Sequence, residues 1–319
     1  MREILVSGSS AHDTIIHYAG NFKEQFQGDN MEQGLHMSLL CHQYEKYIWG
    51  TGLNIAYNLI LLWENPVLLS SVGVDFTWDW VIDDKINTKY LHRDRKRITA
   101  WSTILTDENE HKITAFYPWA MEEADQTHVS YVTESLGLGI VSANKVSAMM
   151  WHARELHKEW VKFFADPAQQ ITDMSKEQLQ ELLELADYLI VNQYEMKELQ
   201  VKSWYAEDIL KEKFEKIIVT YWSNGSELIE WDHITHIPII SVEDVEDPTG
   251  TGDAYRAWVL KAIIDWHSWK TACRLWTILA SYCIQVEGAQ NHHFNISKVS
   301  QDMKTYFDED IDLHARRKY

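Results

Sequence analysis

The sequence predicts an α/β protein with a doubly wound, mainly parallel sheet flanked by helices, and with a small β-sheet lid. From residue 137 onward, short apolar runs alternate with stretches of helical pattern, which is the element order of a doubly wound sheet. The apolar runs are nearly continuous, as expected for parallel strands that are buried on both faces. Upstream, the segments at about 13–48 and 88–118 show the patterns of antiparallel strands, and we expect them to form the lid.

The predicted elements follow one another along the chain without a break. A first buried strand at residues 4–6 ends in a Ser-Gly-Ser turn, and a second buried strand covers residues 67–76. Further strands are predicted at 138–142, 161–164, 188–191 and 217–220, and helices near 79–86 and at 146–159, 175–185 and 271–285. Because no repeat, low-complexity tract or linker interrupts this order, we expect residues 1–319 to form a single domain.

The most informative stretch is Asp-Pro-Thr-Gly-Thr-Gly-Asp at residues 247–253, which leads directly into an apolar helix. Its two glycines lack a Cβ, so successive backbone N–H groups can point into one small space. The helix N-terminus adds unpaired N–H groups and the positive end of its dipole, so the turn should bind an anion. Asp253, in the first helical turn, could then accept a proton from a hydroxyl that attacks a bound phosphoryl group. The alternative is an ordinary helix start without a ligand.

Together with the following Ala-Tyr, this stretch resembles the C-terminal signature of the ribokinase-like (PfkB) sugar and nucleoside kinases. Three other motifs of that family occur in order. They are Trp-Gly-Thr-Gly-Leu-Asn at 49–54 for Gly-Gly-x-x-x-Asn, Asn-Gln-Tyr-Glu at 192–195 for Asn-x-x-Glu, and Thr-Tyr-Trp-Ser-Asn-Gly at 220–225 for Thr-x-Gly-x-x-Gly. The resemblance covers roughly residues 3–295 and is closest to bacterial adenosine-kinase-like members.

The resemblance implies a role for each matching residue. The catalytic residues would be the base Asp253 and the phosphoryl-binding Gly250, Thr251 and Gly252. The substrate would be bound by Asp13, Gly50, Asn54 and Phe116, and the nucleotide by Asn192, Thr220, Gly225, Thr249 and Asn291. Glu195 would order the water shell of Mg²⁺.

Some of these residues also have ordinary structural alternatives. Asp13 could cap a turn, and Asn54 could serve only as a helix-start residue. The pair Asn192 and Glu195 has the spacing of a helix N-cap with an acidic residue in the first turn. An aromatic side chain such as Phe116 is as often part of a core as part of a binding site.

Composition narrows the class of protein. The net charge of −19 argues against a nucleic-acid or anionic-membrane partner, because both require a basic face. The three cysteines, Cys41, Cys273 and Cys283, are far apart in sequence, which favours a reducing compartment without disulfides. No leader-like segment and no long apolar run is present, so we expect a cytoplasmic protein.

Tryptophan usage is unusual. The chain has 15 tryptophans and only 13 glycines, and many of the tryptophans stand in polar turns where glycine is normally found. Trp49, Trp119 and Trp222 replace family glycines beside the ligands. Both residue types together make about 9% of the chain, close to the usual glycine content of ~7%. We therefore expect most of these tryptophans to be glycines in the native protein, encoded by UGA; the alternative is a tryptophan-rich paralogue that is losing its function.

The sequence thus predicts an ATP- and Mg²⁺-dependent kinase that phosphorylates a primary hydroxyl of a nucleoside or sugar. Adenosine is favoured, because Ala-Tyr-Arg-Ala after Asp253 and Gly-Ala-Gln-Asn at 288–291 resemble the adenosine-kinase-like members. The alternatives are a ribokinase- or fructokinase-type sugar kinase, a phosphatase or ADP-dependent variant, and a binding protein without activity if Trp49 and Trp222 are genuine. The resemblance also suggests a homodimer formed through the lid.

Overall fold

The structure, a computed structural model, describes residues 2–25, 38–77, 86–109, 111–132, 136–311 and 313. Its strands are β1 Glu3–Ser7, β2 Ala11–Tyr18, β3 Cys41–Trp49, β4 Val67–Leu69, β5 Ser71–Val72, β6 His92–Arg93, β7 Ala100–Thr106, β8 Lys112–Tyr117, β9 Leu136–Ser142, β10 Phe163–Asp166, β11 Tyr188–Asn192, β12 Lys216–Thr220, β13 Ser226–Glu230 and β14 His233–Ile237. Its helices are α1 Phe22–Gln25, α2 Thr51–Leu61, α3 Val146–Lys158, α4 Lys176–Leu185, α5 Gln193–Ser203, α6 Glu207–Lys213, α7 Thr251–Ile264, α8 Trp269–Cys283 and α9 Ile296–Phe307.

The main sheet has eight strands in the described part of the chain, in the order β14-β13-β12-β11-β10-β9-β1-β4. The six strands from β12 to β4 pair in parallel, and β13 and β14 extend one edge as an antiparallel ribbon. Strand order reverses between β1 and β9, and in open α/β sheets ligands bind outside the carboxyl ends of the strands at such a point. The predicted α/β fold with a mainly parallel sheet is confirmed.

Helices cover both faces of this sheet, and β1 shows how its residues divide between them. Ile4 and Val6 belong to the core that packs against α2, α7 and α8, whereas Leu5 belongs to the core beneath α3, α4 and α5. Side chains alternate between the two faces of a strand, so an uninterrupted apolar run fills both cores at once.

Two strand boundaries differ from the prediction. The strand predicted at 161–164 lies at Phe163–Asp166, because Val161 belongs to the turn that ends α3, with its N–H donating to the Leu156 carbonyl at 3.0 Å. The run at 67–76 divides into β4, in the main sheet, and β5, which pairs with β6. The helix expected near 79–86 falls almost entirely outside the described residues.

A second sheet contains β3-β2-β7-β8. The chain enters it directly from β1 through residues 8–10 and returns to the main sheet through Gly50, which joins β3 to α2. Gly8 and Gly52 let these two crossings meet, since a Cβ on Gly8 would lie 2.6 Å from the Gly52 Cα. We refer to β2, β3, β7 and β8 as the four-stranded sheet.

In the described ranges, no helix is both long enough and apolar enough to cross a membrane.

Candidate active site

The turn at 247–253 packs against the segment at 288–291. Gly250 caps α7 with a φ of 80°, and a Cβ at this position would overlap the side chain of Ala289. The Asp247 carboxylate accepts from the N–H of Thr249 at 2.9 Å and from the N–H of Gly288 at 3.0 Å, so it ties the two segments together. Gly252 is exposed at the N-terminus of the 14-residue helix α7. The N–H of Gly252, at the start of this helix, is therefore accessible to an anion.

Asp253 lies in the first turn of α7 and is bonded to residues from two other segments. Its Oδ2 accepts from Asn54 Nδ2 at 2.8 Å, and Asn54 Oδ1 in turn accepts from Gln290 Nε2 at 2.7 Å. Asn54 is fully buried in the first turn of α2, where its N–H donates to the Gly50 carbonyl at 2.8 Å. Burial raises the pKa of Asp253 to about 6, although the charge of Arg256 and the Asn54 bond both favour the ionised form.

Arg256 follows one turn later on the same face of α7. Its Nε and Nη2 donate to the two carboxylate oxygens of Asp166 at 2.5 and 2.6 Å, and its Nη1 lies 4.0 Å from Asp253 Oδ1. Asp166 is fully buried at the end of β10 and also accepts from Ser142 Oγ at 2.7 Å, at the end of β9. A bidentate pair of this kind holds the guanidinium in one place, so its positive charge stays beside Asp253.

Asn192 and Glu195 form a capping box at the start of α5. Asn192 Oδ1 accepts from the N–H of Glu195 at 2.9 Å, and Glu195 Oε2 accepts from the N–H of Asn192 at 2.7 Å. Burial raises the pKa of Glu195, and Arg256 opposes that shift. Glu195 in turn contributes to the raised pKa of Asp253, so the two carboxyls belong to one electrostatic neighbourhood. The helix-capping role proposed as the alternative for Glu195 is therefore present in the structure. An effect of Glu195 on Mg²⁺ binding stays a prediction.

The other residues predicted for the nucleotide lie around the same edge. Thr220 ends β12 and is paired in register with Asn192 at the end of β11. Gly225 follows with a φ of 85°, and its carbonyl accepts from the N–H of Tyr221 at 2.8 Å. Asn291 Nδ2 donates to the Glu287 carbonyl at 2.7 Å. No group of three or more His, Cys, Asp or Glu side chains suited to a metal ion occurs in the part of the chain that the structure describes.

The four-stranded sheet presents a row of residues in register. Asp13 is paired with Tyr47 on one side and with Ser102 on the other, and Ser102 is paired with Phe116. Residues paired in this way point to the same face of a sheet. Asp13 is buried, and burial alone raises its pKa to about 7, whereas Phe116 is half-exposed. The Tyr47 ring lies next to Gly288, so the four-stranded sheet reaches the 288–291 segment.

Sequence reasoning missed three residues that surround Asp253 and Asn54: Asp166, Arg256 and Gln290. Arg256 carried a usable signal, since it stands three residues after Asp253 and must share its helix face. Gln290 lies in the Gly-Ala-Gln-Asn segment, where only Asn291 was selected. Asp166 stood two residues beyond the predicted end of its strand, so nothing marked it as a residue at the edge of the sheet.

The chain has relatives among known proteins. Residues 26–294 match the profile described as pfkB family carbohydrate kinase. The chain is 28% identical to a nucleoside kinase of Methanocaldococcus jannaschii over 96% of its own length and 98% of that protein. It superposes on the nucleoside kinase of Burkholderia thailandensis, solved in complex with inosine, with a TM-score of 0.85 and 28% identity, over 96% of this chain and 99% of the other. The ribokinase of Thermotoga maritima has a TM-score of 0.78 at 18% identity, over 95% of this chain and 100% of the other, which concerns the fold alone.

Proposed function

The chain belongs to the pfkB family of carbohydrate kinases, and we propose that it is an ATP-dependent nucleoside kinase that phosphorylates a primary hydroxyl. The observation that carries this proposal is the position of Asp253. Its carboxyl group, with a pKa of about 6, stands in the first turn of α7, next to the exposed backbone of Gly252. A hydroxyl bound there would have a base and an anion site within reach at the same time.

In the proposed reaction, Asp253 accepts the proton of the substrate hydroxyl while the hydroxyl oxygen forms a bond to the γ-phosphorus of ATP. The bond between the γ-phosphorus and the bridging oxygen breaks, and ADP leaves with the electron pair. The backbone N–H groups of Gly250, Thr251 and Gly252 would stabilise the charge on the transferred group. Mg²⁺ bound with the triphosphate would supply charge neutralisation at its β- and γ-phosphates, and Glu195 is the residue we propose to order its water shell.

The edge of the sheet fits a nucleotide phosphate chain. Asn192 and Thr220 end adjacent strands there. Gly225 lies in the turn that follows β12, Thr249 lies in the turn that precedes α7, and Asn291 lies in the segment that contacts Gly250. The backbone at Gly225 and Gly250 has a positive φ, a conformation that glycine adopts freely. We propose that these residues bind ATP.

For the acceptor we propose a purine nucleoside, with adenosine as the preferred one. The support is that two relatives described as nucleoside kinases match 96% of this chain, and that one solved relative holds inosine. Asp13 is a buried carboxyl that forms no ion pair with the described residues, and it is suited to accept hydrogen bonds from two sugar hydroxyls. Asn54 is hydrogen-bonded to Asp253. Phe116, half-exposed on the same face as Asp13, offers an aromatic surface for the base.

A substrate panel tests the proposal. ADP formation from ATP is measured with adenosine, inosine, guanosine, cytidine, ribose and fructose as acceptors, and kcat/KM is compared. We expect adenosine to have the highest value and ribose and fructose the lowest. A preference for a free sugar would make the chain a sugar kinase, and nucleoside binding without any turnover would favour the inactive paralogue.

A further inference from the structure

Seven tryptophans have a backbone conformation that belongs to glycine. In the described residues, nine non-glycine residues have a positive φ, and seven of them are tryptophans, the other two being Ala168 and Asp308. The seven are Trp63, Trp119, Trp160, Trp204, Trp222, Trp231 and Trp266, with φ between 37° and 64°. Glycine enters this region freely, whereas for a bulky side chain it is a genuine outlier. Chance would not concentrate it on one of the rarest residue types.

Three of the seven occupy the same position in the same motif. Trp63, Trp160 and Trp266 each stand two residues after the last residue of a helix, directly after the C-cap residue of α2, α3 and α7. At Trp160, its own N–H donates to the His157 carbonyl at 3.1 Å, and the following N–H donates to the Leu156 carbonyl at 3.0 Å. The same pair of bonds occurs at the other two positions. This pattern is the Schellman motif, whose left-handed residue is usually glycine.

Two further tryptophans stand at a helix end and in a hairpin loop, where glycine is commonly found. Trp204 ends α5 in the left-handed region, and its N–H donates to the Gln200 carbonyl at 3.0 Å. Trp231 is the first residue of the two-residue hairpin loop between β13 and β14, since Glu230 pairs with His233. Hairpin loops of two residues require a positive φ at that position, and glycine is preferred there.

The indoles at these positions have little packing that would offset the backbone strain. They are between 36% and 92% exposed, and Trp160 is the most exposed of them. The contacts that do exist are surface contacts, such as that of Lys176 over the Trp204 ring. Two other tryptophans, Trp258 and Trp276, are buried in the core. Their indole N–H groups lack a hydrogen-bond partner among the described residues.

We infer that these seven tryptophans are glycines in the protein that its own host synthesises, because the gene carries UGA there and the host decodes UGA as glycine. The inference does not depend on the proposed kinase activity. It also concerns the active site, because Trp222 stands two residues after Thr220, which ends β12, and Trp119 stands two residues after Tyr117, which ends β8. Glycine at both positions would remove two exposed indoles from the neighbourhood of the nucleotide and acceptor residues. Trp49 is different, since it lies in β3 with an extended backbone, and its φ carries no such argument.

Peptide mass spectrometry of the protein purified from the organism that carries the gene decides the question. We expect glycine at all seven positions, with UGA as the codon at each. Tryptophan in the peptide, or a UGG codon, at even one of the seven positions would overturn the inference as stated.

A recombinant comparison tests the physical reason independently of the genetics. The unchanged chain is compared with a chain carrying all seven Trp→Gly changes and with a matched control carrying Trp→Ala at the same seven positions. The alanine control removes the same indoles but keeps a Cβ. We expect the glycine chain to have the highest midpoint of thermal unfolding, above the unchanged chain by on the order of 10 °C. An alanine chain as stable as the glycine chain, or an unchanged chain as stable as either, would contradict the backbone argument.

Discussion

At the scale of single residues, the groups around Asp253 shift its pKa in opposite directions. Its burial and the nearby carboxyls of Asp166 and Glu195 favour the neutral acid, whereas Arg256 and Asn54 favour the carboxylate. The result is a pKa of about 6, close to the value that serves a general base at neutral pH. Below that pH the proton stays on the base, so we expect kcat/KM to rise with pH through about 6.

The Asp253→Asn variant should lose phosphoryl transfer while it keeps the nucleotide. Removal of a general base typically lowers the rate by about 10²–10⁴-fold, and asparagine keeps the size of the side chain. Single-turnover kinetics measure the transfer step, and calorimetry measures the ATP dissociation constant, which should change by no more than a few-fold. Turnover near that of the wild type would exclude Asp253 as the base.

Arg256 is a positioning residue, and its effect should appear in the pH profile. Arg256→Gln removes the positive charge next to Asp253, so the pKa of Asp253 should rise and the acidic limb of kcat/KM should move to higher pH. Arg256→Lys keeps the charge but not the bidentate bond to Asp166. The acidic limb of its kcat/KM profile should therefore stay close to that of the wild type. An unchanged limb in Arg256→Gln would show that Arg256 acts only in packing.

The sequence located Asp253 and Asn54, which lie 199 positions apart and are joined by a hydrogen bond in the structure. It located them because each stands at a glycine-rich helix start, a local pattern. Asp166 and Gln290 have no local pattern of this kind, since their importance arises from contacts with Arg256 and Asn54 across the fold. Such contacts depend on strand order and on strand ends, which sequence periodicity does not determine.

At the scale of elements, two helix starts carry most of the proposed chemistry, and each has a stringent requirement. The start of α7 needs Gly250, because its φ of 80° and its contact with Ala289 leave no room for a Cβ. The start of α5 needs the reciprocal bonds between Asn192 and Glu195. At both helix starts, the main-chain N–H groups that would face a phosphate are also the first N–H groups of the helix.

Gly250→Ala should weaken both folding and nucleotide binding. Alanine at a positive φ costs more than about 1 kcal/mol of folding free energy, and its methyl group would push the 288–291 segment away. Gly252→Ala is the matched control, because a Cβ there would meet only the end of the Arg256 side chain, at 2.8 Å. Thermal unfolding of both variants is compared, and ATP titration of Gly250→Ala measures its nucleotide binding. Equal effects of the two changes would contradict the special role of Gly250.

Glu195→Gln separates the capping role of Glu195 from its proposed electrostatic role. Glutamine can complete a capping box as glutamate does, so the thermal stability should stay near that of the wild type. The carboxylate charge is lost, so the Mg²⁺ concentration that gives half-maximal activity should rise. If that concentration is unchanged in Glu195→Gln, Glu195 is a helix cap and no more.

At the scale of the whole molecule, the main features of the sheet were predictable because they follow from the alternation of strands and helices. The pairing inside the four-stranded sheet was not predictable in the same way. There β2 pairs in antiparallel fashion with β3 but in parallel with β7, about 90 residues away in sequence. That pairing brings Asp13 and Phe116 into one row, and only long-range contacts specify it.

The conformation of the seven tryptophans also affects the stability of the whole molecule. A left-handed backbone costs a residue other than glycine roughly 1–2 kcal/mol, so seven such residues cost on the order of 10 kcal/mol. That sum is comparable with the entire free energy of unfolding of an ordinary domain, about 5–15 kcal/mol. The identity of these seven residues therefore has a large effect on the free energy of unfolding of the chain.

The net charge of −19 leads to a prediction about salt. Like charges on a compact chain repel one another, and salt screens that repulsion. The midpoint of thermal unfolding at pH 7 should therefore rise when the ionic strength increases from about 0.01 to about 0.15 M. A neutral solute of equal osmolarity serves as the control, and a midpoint that falls with salt would show that attractive ion pairs outweigh the net repulsion.

The left-handed turn that ends α2 has a consequence for inheritance. Where UGA is a stop codon, a ribosome that reads this gene halts at codon 63 at the latest, before residues 64–319, which include Asp253, have been made. A recipient cell with the standard code would gain no kinase from the gene, however well it was transcribed. Because the glycine at this helix end is written as UGA, the gene in its present form is confined to lineages that share its code.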